Sequence, residues 1–111
     1  MKKGQTEKQF MAMVIRLARL CGWSVYHVHD SRRSAHGWPD LVLCRPPRLL
    51  FVELKTDVGE TTTEQEQWLG RLQECDQVAR VWRPRDWKVI EAVLMGQDTN
   101  TLSDGKGVTC G

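Results

Sequence analysis

Two carboxylates and one lysine stand at spacings that suit metal-assisted chemistry. Asp40 opens one short apolar run, and Glu53 and Lys55 close the next, with Leu54 between them. The residues that join the runs, Arg45-Pro46-Pro47-Arg48, are typical of a turn, so the two runs predict a β-hairpin. In a hairpin folded about the middle of that turn, Asp40 lies directly opposite Glu53.

Opposed carboxylates on one sheet face would have Cβ atoms about 4.5–5.5 Å apart and would repel each other unless a cation neutralised them. Mg²⁺ fits such a pair, because it binds carboxylates, carbonyls and phosphate oxygens. The backbone carbonyl of Leu54 is a further candidate ligand. Lys55 follows Glu53 by two residues and therefore shares its face, where an ammonium group could orient a water or stabilise charge on a phosphate. A register slip of one residue would break this arrangement.

The elements that position these residues alternate between helical and strand patterns. Thr6 to Gln9 fits a capping box, and an apolar stripe of helical period then runs to a stop at Gly22. Further runs predict four strands, two of which form the hairpin, and a helix from Thr62 that precedes the last of them. Pro84 opens a final helix. The order α-β-β-β-α-β-α predicts an α/β fold in which one mixed central sheet is flanked by helices.

The chain has 111 residues, which is enough for one domain. We expect residues 1–96 to form it and the polar, Gly-rich residues 97–111 to be a flexible tail. No apolar run suits a membrane span, and the basic N-terminus lacks the features of a signal peptide. We therefore expect a cytoplasmic protein with no membrane partner. The four cysteines are scattered, which argues against a zinc site.

The charge is unevenly distributed along the chain. Residues 1–50 hold nine Lys and Arg against three acids, whereas residues 51–111 hold seven against eleven, for a net charge of +2. A basic half can attract a polyanion, although a solvated surface explains the same pattern.

The motifs resemble those of a known nuclease family. Gly37-Trp38-Pro39-Asp40, followed by Glu53-Leu54-Lys55, resembles the PD-(D/E)xK nuclease signature. Two further features resemble motifs of the virus-type replication-repair nuclease family, VRR-NUC. One is an acidic residue early in the first predicted helix, Glu7, and the other is the spacing Thr62, Gln65, Trp68 at the start of the second. The resemblance covers about residues 5–94 and implies a restriction-endonuclease-like core.

The resemblance implies metal-dependent phosphodiester hydrolysis, with Mg²⁺ as the ion and Mn²⁺ as a substitute. Asp40 and Glu53 would bind the ion, and Lys55 would orient or activate the attacking water. Glu7 would be a further ligand or a neighbouring group, although an acid in a first helical turn is also favoured by the helix dipole. Gln65 would hold the lysine or a phosphate, or would only cap its helix. Candidate DNA contacts are Lys8, Arg32, Arg33 and His36.

The chain resembles the minimal stand-alone members of this family from phages and bacteria. That resemblance implies a homodimeric Holliday-junction resolvase, active in the cytoplasm of a bacterium or a phage-infected cell. One small domain carries one site, and a two-fold dimer supplies the two cuts that a junction needs. Restriction-type, nicking or flap cleavage are alternatives within nucleases. A catalytically inactive DNA-binding module and a metal-dependent phosphatase for small substrates are alternatives of other classes. No small-molecule cofactor is expected.

Overall fold

A four-stranded sheet lies between helices in the computed structural model, which describes residues 5–28 and 35–96. The strand order is the chain order; the first three strands are antiparallel neighbours, and the last two are parallel. The predicted mixed sheet and element order are confirmed. The elements are α1 Glu7–Leu20, β1 Ser24–His27, β2 Leu41–Arg45, β3 Arg48–Leu54, α2 Thr63–Glu74, β4 Val78–Trp82 and α3 Trp87–Leu94.

The β2–β3 hairpin has the register that the sequence predicts. Leu41 pairs with Val52 at its open end, and Arg45 pairs with Arg48 beside the turn. This register sets Asp40, the residue before β2, across from Glu53. Both carboxylates therefore lie at the open end of the hairpin.

Helices α1 and α2 begin in the same way. Thr6 caps α1 and Thr62 caps α2; in each, a glutamine three residues later, Gln9 or Gln65, completes a reciprocal capping box. The third helix differs from its prediction, because Pro84–Asp86 form a 3₁₀ turn and α3 starts only at Trp87. The Asp86 carboxylate accepts the Arg83 N–H at 3.0 Å and closes that tighter turn.

The two faces of the sheet are covered differently. Alternate residues of β2 and β3 point to one face and are buried against α1 and α3: these are Leu41, Leu43, Leu50, Val52 and Leu54. The other face carries Phe51 and Glu53 and is covered beside β4 by α2, where Leu69 and Ala79 are buried. The predicted carboxylate pair thus lies on the face that α2 covers, away from the main core.

Two arginines of the basic half stabilise helix ends. Arg45 donates hydrogen bonds to the carbonyls of Cys21 and Leu94 at 2.9 and 3.1 Å, and Arg48 donates to a carbonyl in the last turn of α3. Both guanidinium groups also lie over the indole ring of Trp23, 5.5 and 5.2 Å from its centroid. These cations bind the negative ends of two helix dipoles, so they add less to an exposed basic surface than the charge count suggests.

No helix in the stretches 5–28 and 35–96 has the length and apolar character that crossing a membrane requires. The predicted flexible tail, residues 97–111, lies outside the described residues.

Candidate active site

Asp40 is held at the end of the hairpin from both sides. Its Oδ2 accepts a hydrogen bond from the backbone N–H of Leu54 at 2.8 Å, and its backbone carbonyl accepts one from the N–H of Val28 at 3.1 Å. Pro39, just before it, is fully buried. The side chain of Asp40 thereby extends the hairpin pairing by one position and places its carboxylate next to Glu53.

Glu53 is a buried carboxylate with unequal oxygens. Its side chain is 2% exposed. Oε2 accepts a hydrogen bond from Nε2 of Gln65 at 2.8 Å and lies 3.8 Å from Nζ of Lys55. Oε1 is buried and has no hydrogen-bond partner among the described residues. A buried acceptor without a partner is costly, so this oxygen is suited to a cation.

The raised pKa of Glu53 also indicates that its carboxylate is suited to binding a cation. Burial, and after it the nearby Asp40, raise the pKa of Glu53 from its ordinary value of 4.5 to about 8, although Lys55 acts in the opposite direction. The carboxyl groups of Glu53 and Asp40 are also close enough for a shared proton to join them by a hydrogen bond. A pair that retains a proton above neutral pH is a pair from which a cation can displace that proton.

Glu7 approaches the pair from the first turn of α1. Burial raises the pKa of Glu7, Asp40 raises it further and Lys55 lowers it, so all three groups are near one another. Within residues 5–28 and 35–96, however, no three His, Cys, Asp or Glu side chains form a cluster that could hold a metal ion. The structure therefore brings Glu7 close to the pair, and its role as a further ligand stays a prediction.

The backbone carbonyl of Leu54 points to the side of β3 on which Asp40 lies. In a strand the N–H and C=O of one residue point to the same side. Because the Leu54 N–H points to Asp40, its carbonyl points to that side too. Two carboxylates, which include the unpartnered Oε1 of Glu53, and one carbonyl make an all-oxygen donor set, which fits a hard divalent cation.

Gln65 has a more specific contact than the sequence predicts. Its side chain completes the capping box of α2, since Oε1 accepts the N–H of Thr62 at 2.9 Å. The amide nitrogen of the same side chain donates to Glu53, so Gln65 holds the carboxylate and not the lysine. The structure confirms the capping interpretation, whereas the predicted role of Gln65 in binding the lysine or a phosphate is not what its contact with Glu53 shows, and its role in catalysis stays a prediction.

The loop after Lys55 is fixed by two arginines that sequence reasoning missed. Nη1 of Arg83 donates to the carbonyls of Thr56 and Gly59 at 2.7 and 2.6 Å. The backbone N–H of Arg85 donates to the carboxylate of Asp57 at 2.9 Å. No local pattern announces these contacts, because they join segments that are more than twenty residues apart.

The predicted DNA contacts are only partly described. Lys8 and His36 are exposed, Lys8 beside Glu7 and His36 beside the turn that leads to Asp40. Arg32 and Arg33 lie outside the described residues.

Comparison with known families decides the classification. The family model described as the VRR-NUC domain matches residues 3–86. The chain belongs to the VRR-NUC domain family. This confirms the predicted resemblance, and the matched range contains every described candidate of the site. VRR-NUC domains are nuclease domains, and nucleases of this type generally use a divalent metal ion.

Two solved structures have folds similar to that of this chain. One, described as a VRR_NUC domain protein, is 21% identical, with a TM-score of 0.67 over 86% of this chain and 93% of its own. The other is Hjc from Archaeoglobus fulgidus, described as a Holliday junction resolvase from an archaeal hyperthermophile. It is 20% identical, with a TM-score of 0.52 over 69% of this chain and 68% of its own. No curated protein matches the chain significantly.

Proposed function

We propose that this VRR-NUC protein is a metal-dependent, structure-selective DNA endonuclease that resolves four-way junctions as a homodimer. One observation carries the proposal: Asp40 and Glu53 meet at the open end of the hairpin, with Lys55 beside them. The buried Oε1 of Glu53 has no hydrogen-bond partner in the described part of the chain, so the pair is suited to a cation. Family membership supplies phosphodiesters as the substrate class.

Asp40, Glu53 and the carbonyl of Leu54 would hold Mg²⁺, with Mn²⁺ as a substitute and Glu7 close by. When bound, the ion supplies positive charge that stabilises the negative charge developing on the phosphoryl oxygens. Burial of Glu53 keeps its carboxylate away from competing water. The hydrogen bond from Leu54 fixes the direction of the Asp40 carboxylate, so neither ligand needs to reorganise.

Lys55 would act on the attacking water and on the phosphate. Its side chain is 14% exposed, and its ammonium is 3.8 Å from Oε2 of Glu53, which restrains it at the edge of the site. An ammonium held there can orient a water for attack or donate to a phosphate oxygen.

The helix ends favour a phosphate at this place. Glu7 lies in the first turn of α1 and Gln65 in the first turn of α2, and both interact with the carboxylate pair. The positive ends of two helix dipoles are therefore near the site, and such ends attract anions. We assign backbone contacts with DNA to the exposed Lys8 and His36, and the same role to Arg32 and Arg33.

The dimer and the junction follow from size and symmetry. One chain carries one pair of carboxylates, whereas symmetric resolution of a four-way junction requires two cuts, which a two-fold dimer provides. A small nuclease domain is suited to reading DNA shape. The shared fold with Hjc, a described junction resolvase, supports this substrate over others.

The test is cleavage of end-labelled DNA with and without Mg²⁺, together with a measurement of mass in solution by sedimentation. The substrates are a four-way junction, a flap, a nicked duplex and a plain duplex. We expect paired symmetric cuts in the junction, made by a dimer, lost without Mg²⁺ and lost in Lys55→Ala. Lys88→Ala changes an exposed lysine of α3, on the other side of the sheet, and is the matched control.

Other results identify the alternatives. If the protein prefers the flap, the nicked duplex or the plain duplex, that DNA and not the junction is its substrate. Binding of DNA without any cleavage would show an inactive DNA-binding module. Hydrolysis of a nitrophenyl phosphodiester without cleavage of DNA would show a phosphatase of small substrates.

A further inference from the structure

The turn that leads to Asp40 rests directly on the backbone of α2. Gly37 has a φ of +84°, and a Cβ on it would lie 2.5 Å from the carbonyl oxygen of Glu64 and 2.7 Å from the N of Gln65. Both atoms belong to the first turn of the helix and cannot move aside. A residue with any side chain would therefore separate the turn from the helix.

Trp38, the next residue, continues this contact. Its ring packs edge-on against Trp68 with a centroid distance of 4.9 Å, and against Phe51 at 5.9 Å. Trp68 follows Gln65 by one helical turn, and Phe51 precedes Glu53 by two residues on the same sheet face. Trp38 thus lies between the helix that carries Gln65 and the strand that carries Glu53.

The two carboxylates are consequently tied to one helix. Asp40 follows the docked turn by two residues. Glu53 is held by Gln65, whose other side-chain atom is fixed by the backbone of Thr62. Any shift of α2 relative to the Gly37-Trp38 turn would move the amide of Gln65 away from Glu53.

We infer that Gly37, Trp38 and Trp68 are positioning residues. Their contact sets the place of α2 so that Gln65 holds Oε2 of Glu53 beside Asp40 and leaves Oε1 to the cation. The inference rests on the proposed function for its catalytic meaning, but the geometry that it concerns exists without metal or DNA.

The direct test is the side-chain amide of Gln65, observed by NMR in the metal-free protein. In the wild type we expect slow exchange of these protons with water, because the amide is bound to a buried carboxylate. Trp68→Leu keeps an apolar side chain but removes the ring contact, and we expect fast exchange in it. Trp87→Leu is the matched control, since Trp87 is a partly buried tryptophan that packs on the core at the other sheet face.

Metal affinity and kinetics supply a second test. By calorimetry with Mn²⁺ alone, Trp68→Leu and Gln65→Leu should each bind roughly tenfold more weakly, as is typical when a group that orients a ligand is lost. The double variant should be no worse than Gln65→Leu. In cleavage, Trp68→Leu should lower kcat more than it changes KM, whereas Trp87→Leu should lower only the thermal stability.

Three results would overturn the inference: unchanged exchange of the Gln65 amide in Trp68→Leu, unchanged Mn²⁺ affinity in that variant, or losses in the double variant that multiply. Gly37→Ala gives an independent check, because it should produce the same fast exchange in any fraction that folds. A wild type with the slow amide but no cleavage of DNA would refute the proposed function and leave the positioning role standing.

Discussion

The carboxylate of Asp40 accepts a hydrogen bond from the backbone N–H of Leu54, at 2.8 Å across the open end of the hairpin. Leu54 is adjacent to Glu53, so this bond fixes one acidic side chain against the main chain beside the other. The two carboxyl groups cannot separate without breaking this hydrogen bond. A backbone hydrogen bond therefore keeps the two acidic side chains close together.

Asp40→Asn and Asp40→Ala should separate the two roles of this residue. Asparagine can still accept the Leu54 N–H but carries no charge, so we expect loss of metal binding and cleavage with stability retained. Alanine leaves a buried N–H without a partner, which costs about 1–3 kcal/mol. Urea unfolding of both metal-free variants measures the difference, and equal stabilities would contradict the assigned hydrogen bond.

The stability of the metal-free protein should decrease as the pH rises. Burial, together with the nearby Asp40, raises the pKa of Glu53 from 4.5 to about 8, so between these values the folded chain keeps a proton that the unfolded chain has lost. The free energy of unfolding therefore falls with increasing pH across that window. Measured in EDTA from pH 5 to 9, wild type and Glu53→Gln should diverge, with the variant becoming relatively more stable at high pH. Parallel curves would show that Glu53 titrates normally.

Divalent metal should reverse that loss. An ion that binds only the folded chain stabilises it by about 2.7 kcal/mol at one hundred times its Kd. At pH 8 we expect Mg²⁺ or Mn²⁺ to raise the melting temperature of the wild type and EDTA to lower it again. Asp40→Asn is the control and should show no rise; an equal rise in that variant would place the ion elsewhere.

Lys55→Met should uncouple metal binding from chemistry. Methionine keeps most of the length of the side chain but has no ammonium to orient water or contact a phosphate. We expect Mn²⁺ affinity to be retained while kcat falls by roughly 10²–10⁴-fold, the usual range for loss of a group that assists proton transfer. Calorimetry and single-turnover cleavage measure the two quantities, and a kcat within a few-fold of wild type would exclude the assigned role.

Arg83 and Arg85 offer a matched pair of arginines at one loop. Arg83→Leu removes both hydrogen bonds that Nη1 donates to the carbonyls of Thr56 and Gly59. We expect a loss of about 2 kcal/mol in stability and a lower kcat, since this loop follows Lys55. The side chain of Arg85 is 60% exposed, and its substitution by alanine should cost at most about 1 kcal/mol. Denaturant unfolding and cleavage assays of both variants measure this difference in stability and kcat. Equal losses in the two variants would contradict the prediction.

The hairpin could be predicted because its information is local. The Pro46–Pro47 turn fixes the register, and strand alternation then assigns Asp40, Glu53 and Lys55 to one face. The capping boxes could also be predicted from the sequence, since Thr62 and Gln65 are only three residues apart. Each of these features depends on residues that are neighbours in the chain or are related by one turn.

The relation between α2 and the hairpin could not be predicted in this way. The hydrogen bond from Gln65 to Glu53 and the clearance that Gly37 leaves for the helix backbone depend on how separate elements pack. The contacts of Arg45 and Arg48 could not be predicted for the same reason. In the sequence they are only basic residues, but in the fold they contact helix carbonyls and an indole ring.

The capping box of α2 couples the site to the opening of a helix end. Gln65 uses one side chain both to begin the helix and to hold Glu53, so fraying of that first helical turn also releases the carboxylate. Helix ends open at far lower cost than a whole domain. Inactivation on warming should therefore precede global unfolding, because it would begin at one end of a twelve-residue helix.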